Sequence, residues 1–172
     1  MTNRGWSHVS LVTLDMDRTR VFYEDVLGFE VVRRDTIDVK EGGRIRHVFF
    51  DTGGNQLLAF MEPRGLPGVA EEFDASLNRP LGMPEGFYHF AFEAGSPGEL
   101  ASKRAELIRC GVRVTPVIDH GWAESIYFQD PNGLLLEYAC GTRDIHADDF
   151  ARESRFEVSL AGPSPFNDFR DE

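Results

Sequence analysis

Ser125-Ile-Tyr127-Phe-Gln-Asp130-Pro-Asn-Gly133-Leu-Leu-Leu-Glu137-Tyr-Ala-Cys140 reads as strand, turn, strand. Asp130-Pro-Asn-Gly133 suits a type I turn whose glycine takes the left-handed position, and that register sets Tyr127 opposite Glu137. The same phrase occurs earlier in the chain: Asp51-Thr-Gly-Gly54 joins strand-like runs near 45–51 and 56–61. Ahead of each hairpin the correspondence continues. His8-Val-Ser-Leu-Val-Thr-Leu14 and Tyr88-His89-Phe-Ala-Phe-Glu93 are β-rich openings, and each is followed by a helical pattern. The first helix takes Asp17 as its expected N-cap and stops at Gly28; the second opens on Ser96-Pro-Gly-Glu99, a capping box, and stops at Gly111. Strand signals near 29–39 complete the first copy, and runs at 112–118, 124–129 and 134–140 the second. The order βαβββ is therefore written twice.

This pattern predicts an α+β fold of paired βαβββ modules, 6–62 and 86–140, sharing one core in a single domain over 1–141. A connector rich in Pro, Gly and acid, 63–85, lies between them as a lid or wrap. The acidic tail 142–172 carries Phe150, Phe156, Phe166 and Phe169, which predicts that it packs. Of the 172 residues, 41% are hydrophobic and 27% charged, as in ordinary globular chains. A net charge of −11 argues against nucleic acid or an anionic membrane as partner, since both need a basic footprint. No apolar run approaches the ~18 residues of a membrane span. The opening Met1-Thr-Asn-Arg-Gly-Trp6 lacks a secretory leader's apolar stretch, and Cys110 and Cys140 fit neither a disulfide framework nor a zinc spacing. These features predict a cytoplasmic protein.

The chemistry concentrates in three residues. His8 and His89 open equivalent strands, and Glu137 stands within the apolar run Leu134–Ala139, where a carboxylate is costly unless paired or bound to a cation. Two imidazoles and a carboxylate suit a divalent transition metal with open positions. His47 and His146 match no repeated position and read as surface residues.

The residues His8-Val-Ser-Leu, Phe22-Tyr-Glu-Asp-Val-Leu-Gly-Phe29, Tyr88-His89-Phe-Ala-Phe, and Ser125 to Gly133 with Leu136-Glu137-Tyr resemble the vicinal oxygen chelate superfamily. Its members include glyoxalase I, fosfomycin-resistance transferases, bleomycin-resistance proteins and extradiol dioxygenases. The resemblance implies an open, barrel-like pairing of the modules, a homodimer, a small-molecule substrate, and a metal held by His8, His89 and Glu137. At the fourth ligand position of glyoxalase I it finds Ala59, which cannot bind metal; Glu62, three residues on, is turned by strand alternation to the opposite face. The three-ligand set implies Fe(II), with Mn, Ni or Zn as alternatives, in a ring-cleaving dioxygenase acting on a catechol-like diol. Tyr127 then stands near the metal as hydrogen-bond donor and acid, and His120 as the base at the mouth of the site. The alternatives are a metal-dependent lyase, isomerase or thiol transferase on the same ligands, or a drug-binding resistance protein without catalysis.

Overall fold

The computed structural model describes residues 5–151, so Phe156, Phe166 and Phe169 of the tail lie outside the described residues. Two four-stranded mixed sheets repeat one plan, and the described residues divide into two units. The first unit runs to Ser76 and includes Asp130–Gly133; the second comprises Leu77–Gln129 and the chain from Leu134.

In the first unit, β1 (His8–Val12), β2 (Glu30–Asp38), β3 (Arg44–Asp51) and β4 (Leu57–Arg64) assemble in the order β1-β4-β3-β2, with β1 parallel to β4. In the second, β5 (Phe90–Glu93), β6 (Ile118–Asp119), β7 (Ala123–Gln129) and β8 (Leu135–Gly141) repeat this as β5-β8-β7-β6, again with the outer pair β5 and β8 parallel. Neither sheet closes on itself. The α+β duplication read from the sequence is the observed fold.

One helix follows each opening strand. In the first unit, α1 (Met16–Val21) widens into a π-helical turn over Phe22–Val26, where the Leu27 amide reaches five residues back to the Phe22 carbonyl. Its cap is Asp15 rather than Asp17: the Asp15 backbone is extended, and its carboxylate accepts the Arg18 amide at 2.9 Å. Asp17 lies inside the first turn and pairs with Arg46 instead. Tyr23, fully buried, packs its ring on Phe50 and Phe60 at 5.3 and 4.9 Å between centroids. Its hydroxyl donates to Asp130 of the turn between β7 and β8 at 3.1 Å. In the second unit α2 (Pro97–Arg109) is capped by Ser96, and Glu99 reaches back to the Gly95 amide, one residue beyond the usual reciprocal bond. Leu100 and Leu107 of α2 are fully buried, at about 1.5–3 kcal/mol each. Lys103 lies over the Tyr138 ring, so α2 covers the face of the sheet that carries Phe128 and Tyr138.

The strand expected over 112–118 is reduced to a bridge between Val114 and Phe128 and the two-residue β6. Thr115 explains the interruption. Its amide donates to the Tyr127 carbonyl, but the Tyr127 amide donates to the Thr115 hydroxyl, so a side chain replaces the main-chain acceptor. Pro116 then has no amide to resume the ladder. β5 begins at Phe90, leaving His89 one residue before the strand rather than on it. Among the described residues no helix is long and apolar enough to cross a membrane.

Gly43 closes the turn from β2 into β3 at φ +84°, and a Cβ built there would lie 2.5 Å from the Gly65 carbonyl oxygen and 2.7 Å from that of Arg64. Both neighbours are main chain, so no rotamer relieves the clash. Gly43→Ala is expected to cost on the order of 2 kcal/mol, measured as a lower midpoint in urea unfolding with unchanged slope. A midpoint equal to the parent's would show that the turn shifts freely.

Candidate functional site

The site is built on the sheet face of the second unit that α2 leaves uncovered. Tyr127 pairs directly with Glu137 across β7 and β8, the register expected from the Asp130–Gly133 turn. The turn has the expected form, with the Gly133 amide bonded to the Asp130 carbonyl at 3.0 Å and Gly133 at φ +79°. Ala91 pairs with Glu137 from the other side, which sets His89, two residues earlier, on the same face. His89 Nε2 meets the carboxylate Oε2 of Glu137 at 3.1 Å, and its Nδ1 is bonded to the Gly86 carbonyl at 2.9 Å. The imidazole of His89 stands edge-on to the Tyr127 ring, 5.9 Å between centroids. His120, exposed, brings its Nε2 to 3.1 Å from the Tyr127 hydroxyl.

The charges of these groups are coupled. Burial alone would raise the Glu137 carboxyl; hydrogen bonding to His89 and Tyr127, with the Ser125 hydroxyl close by, outweighs it and holds the carboxyl below its ordinary range. Its hydrogen bond to Glu137 raises the His89 imidazole, against the effect of burial. Burial, and then the charge of Glu137, push the Tyr127 phenol far up, so it keeps its proton at every physiological pH. The Ser125 hydroxyl is buried and makes no hydrogen bond of good geometry.

This arrangement fits a cation. A metal-binding histidine typically gives its second ring nitrogen to a carbonyl, as Nδ1 of His89 does to Gly86, leaving Nε2 for the ion. His89 Nε2 and the Glu137 carboxylate are the groups here that would hold a cation. Among the described residues no three His, Cys, Asp or Glu side chains are grouped to hold an ion.

The first unit repeats the geometry with altered chemistry. Ser10 pairs with Ala59 and Ala59 with Phe49, so Ala59 occupies the position of Glu137 and Phe49 that of Tyr127. Exposed His8 stands edge-on to Phe49 at 5.8 Å, as His89 does to Tyr127. Ala59 is fully buried, so the fourth ligand position holds no donor. Glu62 is buried and held by Arg46 at 3.2 Å and Arg64 at 2.8 Å.

His47 corrects its reading as a surface residue; His146 is exposed as expected. His47 is 8% exposed, lies over Phe49 at 4.2 Å between centroids, and leaves Nε2 without a hydrogen-bond partner. It pairs with Met61, two residues beyond Ala59, and so shares the sheet face of Phe49 and His8. Burial lowers its pKa, which keeps the ring neutral and able to accept a proton. Alternation with Phe49 was the available signal; the preceding Arg44 and Arg46 concealed it.

Comparison with known proteins places the fold in a family. The family model described as Glyoxalase/Bleomycin resistance protein/Dioxygenase superfamily matches residues 5–138. Biphenyl-2,3-diol 1,2-dioxygenase 2 of Rhodococcus globerulus is 25% identical over 92% of this chain and 70% of its own length. Catechol-2,3-dioxygenase of Bacillus subtilis (strain 168) is 26% identical over 79% of this chain, which spans 40% of that protein. A crystal structure of a genomically encoded fosfomycin resistance protein from Listeria monocytogenes shares the fold, with a TM-score of 0.58 at 22% identity over 83% of this chain and 96% of that one. The match of the family model across most of the chain, on a duplicated βαβββ fold, makes this protein a member of the glyoxalase/bleomycin resistance/dioxygenase superfamily.

Proposed function

We propose that this protein is an Fe(II)-dependent extradiol dioxygenase that opens the ring of a catechol-like diol, with His8, His89 and Glu137 as the metal ligands. The observation that carries the reading is the apposition of His89 and Glu137 at 3.1 Å beside a tyrosine whose hydroxyl lies 3.1 Å from His120. The similarity to two diol dioxygenases supports it. The resemblance also implies a homodimer.

The ion, when bound, supplies positive charge and open positions for two adjacent substrate oxygens and for dioxygen. The protein's own groups manage protons. His120, 3.1 Å from the Tyr127 hydroxyl, accepts the proton of a diol hydroxyl. Tyr127 keeps its proton and donates a hydrogen bond to developing negative charge. His120, exposed, exchanges protons with solvent on behalf of Tyr127. Alanine at position 59 leaves that side to water or substrate, which disfavours a four-ligand glyoxalase.

The test is oxygen uptake by anaerobically iron-loaded protein with a panel of catechols, with metal content measured in parallel. One dioxygen consumed per diol, with a ring-opened yellow product, is the expected result. No uptake with any diol at full iron occupancy, or turnover of the methylglyoxal–glutathione hemithioacetal instead, overturns the reading.

A further inference from the structure

The connector ahead of β5 contains a buried polar residue that the mechanism above does not use. Asn78 is 1% exposed and lies in irregular chain. Its side chain grips one main-chain unit from both sides: Nδ2 donates to the Tyr88 carbonyl at 2.9 Å, and Oδ1 accepts the Tyr88 amide at 2.9 Å. Nδ2 also approaches Glu85 at 3.4 Å, and the Asn78 carbonyl accepts the Met83 amide at 2.9 Å. Asn78 thus acts as a strand partner for Tyr88, two residues before β5 starts.

The next residue is His89. Its side chain is 36% exposed, so packing alone does not orient the ring; Gly86 and Glu137 do. Gly86, at φ +98°, sits in a conformation that favours glycine and presents its carbonyl to Nδ1. The segment Gly86–His89 is therefore anchored at the Tyr88 peptide by Asn78. A buried amide with both its donor and its acceptor engaged specifies a single geometry, because any other leaves polar groups unpaired at substantial cost.

We infer that Asn78 is a positioning residue for the His89 imidazole, acting through the Tyr88 main chain and the Gly86 carbonyl. The inference rests on the reading of His89 as a metal ligand. It assigns the connector a role: the segment Asn78–Tyr88 aims one ligand before any ion arrives.

The test uses the full chain, metal-free and Mn(II)-titrated, with Asn78→Ala, the isosteric Asn78→Asp, and Tyr88→Phe. Nuclear magnetic resonance reads exchange of the Tyr88 amide and of the His89 Nδ1 proton; the titration reads Mn(II) affinity well below the melting transition. In Asn78→Ala both protons are expected to exchange ~10–100-fold faster, the loss of two ordinary hydrogen bonds. Mn(II) affinity should fall by ~10–100-fold, the usual effect of releasing a group that orients a ligand. Asn78→Asp keeps the acceptor and should fall between, and it carries the test if Asn78→Ala does not fold. Tyr88→Phe should match the parent, since Asn78 holds only the main chain. A folded Asn78 variant with slow His89 Nδ1 exchange and parental affinity overturns the inference, as does loss of affinity in Tyr88→Phe. If the parent chain binds no Mn(II), the ligand reading fails, and the exchange of the His89 proton alone decides the role of Asn78.

Discussion

Glu137→Gln should leave the chain folded and strip it of metal. The substitution keeps the shape of the side chain and removes only its charge, in a position buried between Tyr127 and Ala91. A neutral amide no longer offsets the charge of a divalent ion, so affinity should drop by more than the ~10–100-fold that follows from disturbing a merely orienting group. Activity should vanish with it. The pH dependence adds a second signature. In the parent, Glu137 raises the pKa of His89, and an ion must displace that proton. Metal affinity should therefore level off only above the raised value and fall by about tenfold per pH unit below it. In Glu137→Gln the proton is held less firmly, so the residual affinity should begin its fall at lower pH. Titrating Mn(II) into both proteins across pH reads both effects. Full metal occupancy in Glu137→Gln would remove this carboxylate from the ligand set.

What was legible in the sequence follows the reach of each signal. Turns carry their own chemistry: Asp130 to Gly133 determined the hairpin, the hairpin determined the register, and the register set Tyr127 opposite Glu137. Repetition did the same at longer range, since His8 and His89, or Ala59 and Glu137, are equivalent in both sheets. Signals that depend on unlike partners were not legible. Asp15 and Asp17 both suit a cap, and only the distant Arg46 claims Asp17. The hydrogen bond of His120 to Tyr127 spans seven residues and depends on the short β6–β7 pairing, which Thr115 and Pro116 distort. His47 follows Arg44 and Arg46 in the chain, so local composition favours the exposed face, whereas its ring turns to Phe49. Asn78 belonged to no pattern, because its partner is the main chain of Tyr88.

Tyr127→Phe should preserve metal content and fold yet lower turnover by ~10²–10⁴, the range for losing a proton-transfer group. The ring is 5% exposed and packs with Leu135 and Ile118, and phenylalanine retains that packing. Only the hydroxyl is lost, with its links to His120 and Glu137. Because burial and the neighbouring carboxylate hold the phenol protonated, the group acts as a donor throughout the working range, and its removal should change the rate without moving the alkaline limb of the profile. His120→Ala tests whether the proton passes onward. If His120 serves Tyr127, the double variant Tyr127→Phe/His120→Ala should be no slower than Tyr127→Phe alone, because residues acting as one unit are not additive. If the two act separately, the losses should multiply. Oxygen uptake against pH for the four proteins, at equal iron occupancy, separates these outcomes. Parental rates in Tyr127→Phe would reduce the tyrosine to a packing residue and leave the ring-opening chemistry without its proton donor.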